Sequence, residues 1–170
     1  MAQVNPVLAS LVSVLLWTSA CGVERPAEDQ VAVRVGAVAV DRETHTPVVI
    51  LEEVAGRRRL PIWIGHAEAA SIDHRLREEP AVRPNSHDLA KRLVEGLGGE
   101  VVRVVVSDLA GGIYYARIVL RSAGREVEID ARPSDAIAIA LRTGAPLFVT
   151  EPLFQRALED DSDAKNAKRI

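Results

Sequence analysis

Two stretches of this 170-residue chain place arginine, serine and acid side by side. The first is Arg83-Pro84-Asn85-Ser86-His87-Asp88-Leu89 and the second is Arg132-Pro133-Ser134-Asp135-Ala136. Each opens a run with helical spacing. Proline suits a first helical turn, where its missing N–H costs nothing. Serine or aspartate caps free amides, and an acid favours the positive end of the helix dipole. Arginine adds a planar fork of donors. Two readings are open. Either these are well-capped helix starts with local Arg–Asp pairs, or two helix ends with arginines form a phosphate-binding surface.

A phosphodiesterase also needs carboxylates for a divalent cation and a group to activate water. Glu68, Asp130 and Asp135 would converge on Mg²⁺ or Mn²⁺ if the first and third helices pack together. His87 or His66 would then serve as base or ligand. No metal spacing of the His-Glu-x-x-His kind occurs, and no glycine-rich phosphate loop, Ser-His-Asp set or catalytic cysteine is evident. Arg57, Arg58 and Arg59 form a basic turn. They would make a patch with Arg83, Arg132 and Arg142 only if the fold gathered them.

Composition narrows the classes. The chain is 48% hydrophobic with only 4% aromatic residues, which fits a globular core and leaves little for an extended base-stacking platform. The formal net charge is -3, but residues 30–158 carry equal numbers of acidic and basic side chains. Such a body exerts no general pull on phosphate backbones, which counts against a processive DNA binder. The one cysteine, Cys21, permits no disulfide within the chain and no cysteine-based zinc site.

The elements that must position these groups follow from periodicity. Alternation from Val31 to Ala39, then Pro47–Leu51 and Leu60–Ile64, predicts three strands, with Pro61 marking an edge or a strand start. Helices are expected over His66–Arg77 and Ser86–Leu97, the second with Leu89, Leu93, Val94 and Leu97 as its apolar face. Val101–Val106, Ile113–Arg121 and Glu126–Ala131 read as an antiparallel meander. A helix over Pro133–Thr143, a short strand over Pro146–Thr150 and a last helix over Pro152–Leu158 complete the body. Strands interrupted by isolated helices imply one α+β domain with a largely antiparallel or mixed sheet and three to four helices.

Residues 6–20 are apolar and uncharged but short for a membrane span. Thr18-Ser19-Ala20-Cys21 then resembles the lipobox of bacterial lipoproteins. The resemblance implies a signal peptide over residues 1–21, cleavage before Cys21, lipid on Cys21 and an exported, envelope-anchored protein. The segment departs from the pattern in lacking Lys or Arg before the apolar run. Residues 22–30 read as a linker and 159–170 as a charged tail.

Leu60-Pro-Ile-Trp-Ile-Gly65, Glu68-Ala69, Arg83-Pro84 with His87-Asp88-Leu89, Tyr115-Ala116 and Ile129-Asp-Ala-Arg-Pro-Ser-Asp-Ala-Ile137 resemble the bifunctional nuclease domain, over residues 31–158. The resemblance implies an α+β fold, self-association into a homo-oligomer, and nuclease activity on DNA or RNA. The positions matching its motifs are the site candidates: Glu68, His87, Asp88, Asp130 and Asp135 for catalysis, and Arg83, Arg132 and Ser134 for phosphate. Ser86 stands where the family usually has threonine. Members of that family mostly look cytosolic, so the cytoplasm is the alternative location. A non-catalytic, envelope-anchored interaction module is the alternative function.

Overall fold

A computed structural model describes residues 29–79 and 82–157. The apolar N-terminal segment with Cys21 and the charged tail 159–170 lie outside the described residues. The strands are β1 (Gln30–Val40), β2 (Pro47–Glu53), β3 (Arg59–Trp63), β4 (Gly99–Ala110), β5 (Ile113–Ser122), β6 (Arg125–Ala131) and β7 (Leu147–Thr150). The helices are α1 (His66–Leu76), α2 (Ser86–Gly96) and α3 (Pro133–Thr143), with a fourth over residues 151–157. The strands form one sheet in the order β3-β2-β1-β7-β4-β5-β6. Every pairing is antiparallel except β4 with β7. This is the expected α+β domain with a mixed sheet.

The local chemistry explains the turns. Ala110 and Ile113 are joined by Gly111 and Gly112, with φ of 59° and 77°. A two-residue hairpin with both φ positive matches the twist of its strands and calls for glycine. β3 is an edge strand, which explains the tolerance of Pro61 within it. The chain leaves β6, crosses the sheet as α3 and returns as β7, so one βαβ-like crossover interrupts the antiparallel pattern.

That crossover makes α3 the centre of the molecule. Ala136, Ile137 and Ala138 are fully buried, and the core continues through Ile72 of α1, Leu51 and Leu60 of β2 and β3, Val104 and Val106 of β4, and Phe154. Each large apolar side chain so buried contributes about 1.5–3 kcal/mol. At one corner the Tyr114 hydroxyl reaches the Pro61 carbonyl at 3.5 Å, which brings the start of β5 close to edge strand β3.

α2 departs from expectation. None of its residues is buried, and its predicted apolar face points outward, with Leu89 54%, Leu93 56% and Leu97 81% exposed. Its period is right, but its polar first turn docks on α3, and only its last turn, at Val94, meets β4. β6 also leaves Val127 and Ile129 exposed. They are cross-strand neighbours of Leu120 and Ile118, so they lie on the helix-bearing face beyond the reach of the helices.

Candidate functional site

The two Arg-Pro starts are built differently. In α2 the cap is Asn85, whose side chain accepts from the amides of His87 and Asp88, while Asp88 accepts from the Asn85 amide. This is a full capping box. In α3 the cap residue is Arg132 itself, Pro133 fills the first turn, and no side chain caps the helix. Asp88 and Asp135 hold the same third helical position. Arg83 and Arg132 do not, because two extra residues push Arg83 out into the loop. Arg83 is exposed there and makes no ion pair with any described residue.

Asp135 faces sideways instead of capping. Arg132 donates Nε to Asp135 Oδ2 at 2.7 Å and Nη2 to Asp135 Oδ1 at 3.0 Å. The same Nη2 donates to Glu68 Oε1 at 2.8 Å. Glu68 rises from the first turn of α1 and lies across Gly65, where an added Cβ would stand 2.2 Å from its Oε2. His87 of α2 is 3.1 Å from Asp135 Oδ1 through Nε2, and 2.9 Å from Ser71 Oγ through Nδ1. Ser71 Oγ also accepts from Asn85 Nδ2 and from Arg142 Nη2, both at 2.9 Å. Arg142 donates Nε to Asp88 Oδ1 at 2.6 Å and Nη1 to the Ala138 carbonyl at 2.9 Å.

These partners assign the histidine tautomer. Ser71 Oγ already accepts two hydrogen bonds, so its hydroxyl proton goes to His87 Nδ1. His87 then carries its proton on Nε2 and donates to Asp135. The fold thus assembles a Ser-His-Asp row that the sequence reading did not see, because its members lie on three separate helices. It is not a nucleophilic triad. Ser71 is buried and both of its acceptor positions are filled, so its oxygen cannot attack a substrate.

The network has a closed end and an open end. Arg142, absent from the sequence-derived site, has a side chain only 4% exposed. Arg132 is 67% exposed, with Glu68 at 17% and Asp135 at 29%. Burial pushes the carboxyls of Asp88 and Asp135 up, but this is outweighed, so both sit below the usual carboxylate range. For Asp88 the lowering comes from the Asn85 amide and Arg142, and for Asp135 from Arg132 and His87. Ser134 is buried beside the open end.

Other expectations separate. Asp130 does not join Glu68 and Asp135. It alternates with Ile129 and Ala131, which puts it on the opposite face of the sheet, in register with Arg117. The arginine patch does not form either. Arg58 pairs with Glu53 and Glu151 and stacks over Phe154, while Arg142 is committed to Asp88. Among the described residues no three of His, Cys, Asp and Glu gather to hold a metal ion. Glu68 and Asp135 share a guanidinium in the place where a cation would have to sit. As arranged, these residues do not fit a resident divalent cation.

The geometry separates two arginine substitutions. Arg142→Ala removes the donor that joins half-buried Asp88 to buried Ser71 and is expected to cost about 1–3 kcal/mol. Arg132→Ala, at an exposed pair, is expected to cost about 0–1 kcal/mol. Urea unfolding of both variants checks this. Acid adds a second test. Asp88 and Asp135 have folded values below the ordinary 3.8, so their stabilisation is present above about pH 4 and is lost as pH falls through the folded values. Asp135→Asn should therefore flatten the decline in stability between pH 5 and pH 2, and an unchanged slope would contradict the pairing.

Comparison with known proteins places this geometry in context. Residues 49–161 match a family model described as the bifunctional nuclease domain. An uncharacterized protein of Mycobacterium tuberculosis is 40% identical over 134 residues, which is 77% of this chain and 80% of that protein. Bifunctional nuclease 1 of Oryza sativa subsp. japonica is 30% identical over 112 residues, 64% of this chain but 34% of its own length. Bifunctional nuclease 1 of Arabidopsis thaliana is 29% identical over 116 residues, 66% of this chain and 36% of its own. The chain thus spans about a third of the plant proteins.

Proposed function

We propose, from the premise that this chain belongs to the bifunctional nuclease domain family, that it hydrolyses phosphodiester bonds of DNA or RNA at the amino end of α3. The observation that carries this reading is Arg132. Its guanidinium is exposed at an uncapped helix start, between the carboxylates of Glu68 and Asp135. In this reading Arg132 and the first amides of α3 meet the phosphate and stabilise charge developing on it. Glu68 binds Arg132 through Oε1 and leaves Oε2 to take the proton of an attacking water. The water oxygen bonds to phosphorus, the bond to the leaving oxygen breaks, and solvent protonates that oxygen. His87, bonded to Asp135, is a positioning residue for this end.

A second reading has specific support. Glu68, Asp88 and Asp135 are each already paired with an arginine. The uncovered apolar side chains of α2 and β6 offer a surface that a second copy would bury. On this reading the chain is an oligomeric binding module, anchored to the cell envelope through lipid on Cys21 after export.

The first reading is tested with the purified full chain and labelled single- and double-stranded DNA and RNA, in Mg²⁺, in Mn²⁺ and in EDTA. Arg132→Ala and Glu68→Gln should each lower cleavage about a hundredfold while circular dichroism stays unchanged. Equal cleavage by the variants would mark a contaminating nuclease. For the second reading, Leu93→Glu should convert an oligomer to a monomer in analytical ultracentrifugation, and Cys21→Ala should move the chain out of the membrane fraction. A wild-type monomer found in the soluble fraction would exclude it.

A further inference from the structure

The side chain that the site leaves unexplained is Ser134. It is 6% exposed, and its hydroxyl has no hydrogen-bond partner among the described residues. The oxygen is not sealed from water, so the hydroxyl faces open space and not protein. Ser134 lines a cavity of ≈ 370 Å³, within the range of about 300–1,000 Å³ typical of small-ligand sites. The other walls include Trp63 and Gly65, Ile113 and Tyr114 from the corner where β5 meets β3, and Arg132. The cavity is polar at the α3 end and apolar opposite. Trp63 is 50% exposed and Ile113 60%, so the apolar end stands open.

We infer that this cavity is a subsite for one unpaired nucleotide, its phosphodiester group against α3 and its base on Trp63. The inference rests on the phosphodiester reading of Arg132 and adds the substrate class, single-stranded nucleic acid or a frayed end. Three donor sets converge at the polar end: the Ser134 hydroxyl, the uncapped first-turn amides of α3, and Arg132 Nη1. Neither Glu68 nor Asp135 engages that nitrogen, since they hold Nε and Nη2. The neighbouring carboxylates favour the single charge of a phosphodiester over the greater charge of a terminal phosphate. An indole face stacks any base, which is the sequence-tolerant mode of single-strand binding. A base inside a duplex is stacked and paired, so it cannot lie on Trp63 without leaving the helix.

Trp63 also supplies the readout. The full chain carries two tryptophans, and Trp17→Phe leaves Trp63 as the sole emitter. This protein is titrated with the phosphorothioate of deoxyadenylyl-deoxyadenosine, which resists cleavage, and separately with deoxyadenosine, dimethyl phosphate and a short blunt duplex. The dinucleotide should quench emission saturably, and each fragment should bind at least about tenfold more weakly. Adding Ser134→Ala should weaken the dinucleotide about tenfold, the worth of a hydrogen bond to a charged group. Its Tm should not fall, because no existing hydrogen bond is lost. No saturable quench, unchanged affinity in Ser134→Ala, a lowered Tm in that variant, or equal binding of the duplex would each overturn the inference. Cleavage without this quench would leave the proposed reaction standing and remove the subsite. Quench without cleavage would support the subsite and remove the reaction.

Discussion

The arrangement of the helices depends on the guanidinium of Arg142. It lies where α1, α2 and α3 meet, and it donates to Asp88 of α2, to Ser71 of α1 and to the Ala138 carbonyl of its own helix. A charge taken this far out of water must be fully bonded, and each bond lost costs more than the bond contributes. α2 makes the dependence clear. It buries no residue and turns its leucines outward, so hydrophobic burial does not hold it in place. Its capping box and the contacts of His87 and Asp88 hold it instead. Fixing α2 in this way fixes His87 against Asp135, and Asp135 helps to fix Arg132.

One connected network therefore does two jobs according to exposure. At the Arg142 end the guanidinium is withdrawn from water, donors and acceptors are matched, and the result is a rigid junction. At the Arg132 end the same kinds of groups meet solvent, and pairing there adds little stability. Exposure leaves Arg132 Nη1 open to something other than protein. The Ser-His-Asp row joins the two ends. It works as a spacer of defined length and tautomer, because Ser71 is saturated with hydrogen bonds and buried.

Much of the fold was legible in the sequence because it rests on local rules. Strand alternation, the Gly111-Gly112 turn and the proline-led start of α3 each follow from a few adjacent residues. The edge position of β3 was legible from Pro61. What was not legible depends on direction and on contacts between distant residues. The period of α2 shows an apolar face but not where that face points. Ser71 and Arg142 look ordinary in sequence, one a small helical residue and the other a basic residue near a helix C-terminus. Their roles come from partners on other helices. Asp130 was misplaced for a simpler reason. It is close to Asp135 along the chain, but strand alternation turns it to the other face of the sheet before α3 begins.

The segment Ile129–Ala136 shows why a compact motif need not be a compact site. Its residues divide among three environments within a few positions. Ile129 and Ala131 continue the helix-bearing face, Asp130 points away from it, and Arg132 begins a helix without a cap. Pro133 closes off one amide without needing an acceptor, so the start of α3 tolerates the absence of a capping side chain. Asp135, in the position that Asp88 uses to cap α2, turns instead to Arg132 and His87. The acid that would have satisfied the helix end is spent on holding the arginine, and α3 is left without a side-chain cap. The neutral charge of the body leads to the same place. With no diffuse positive field, recognition of an anion has to be local, and the α3 start is one place where local donors lack a side-chain cap.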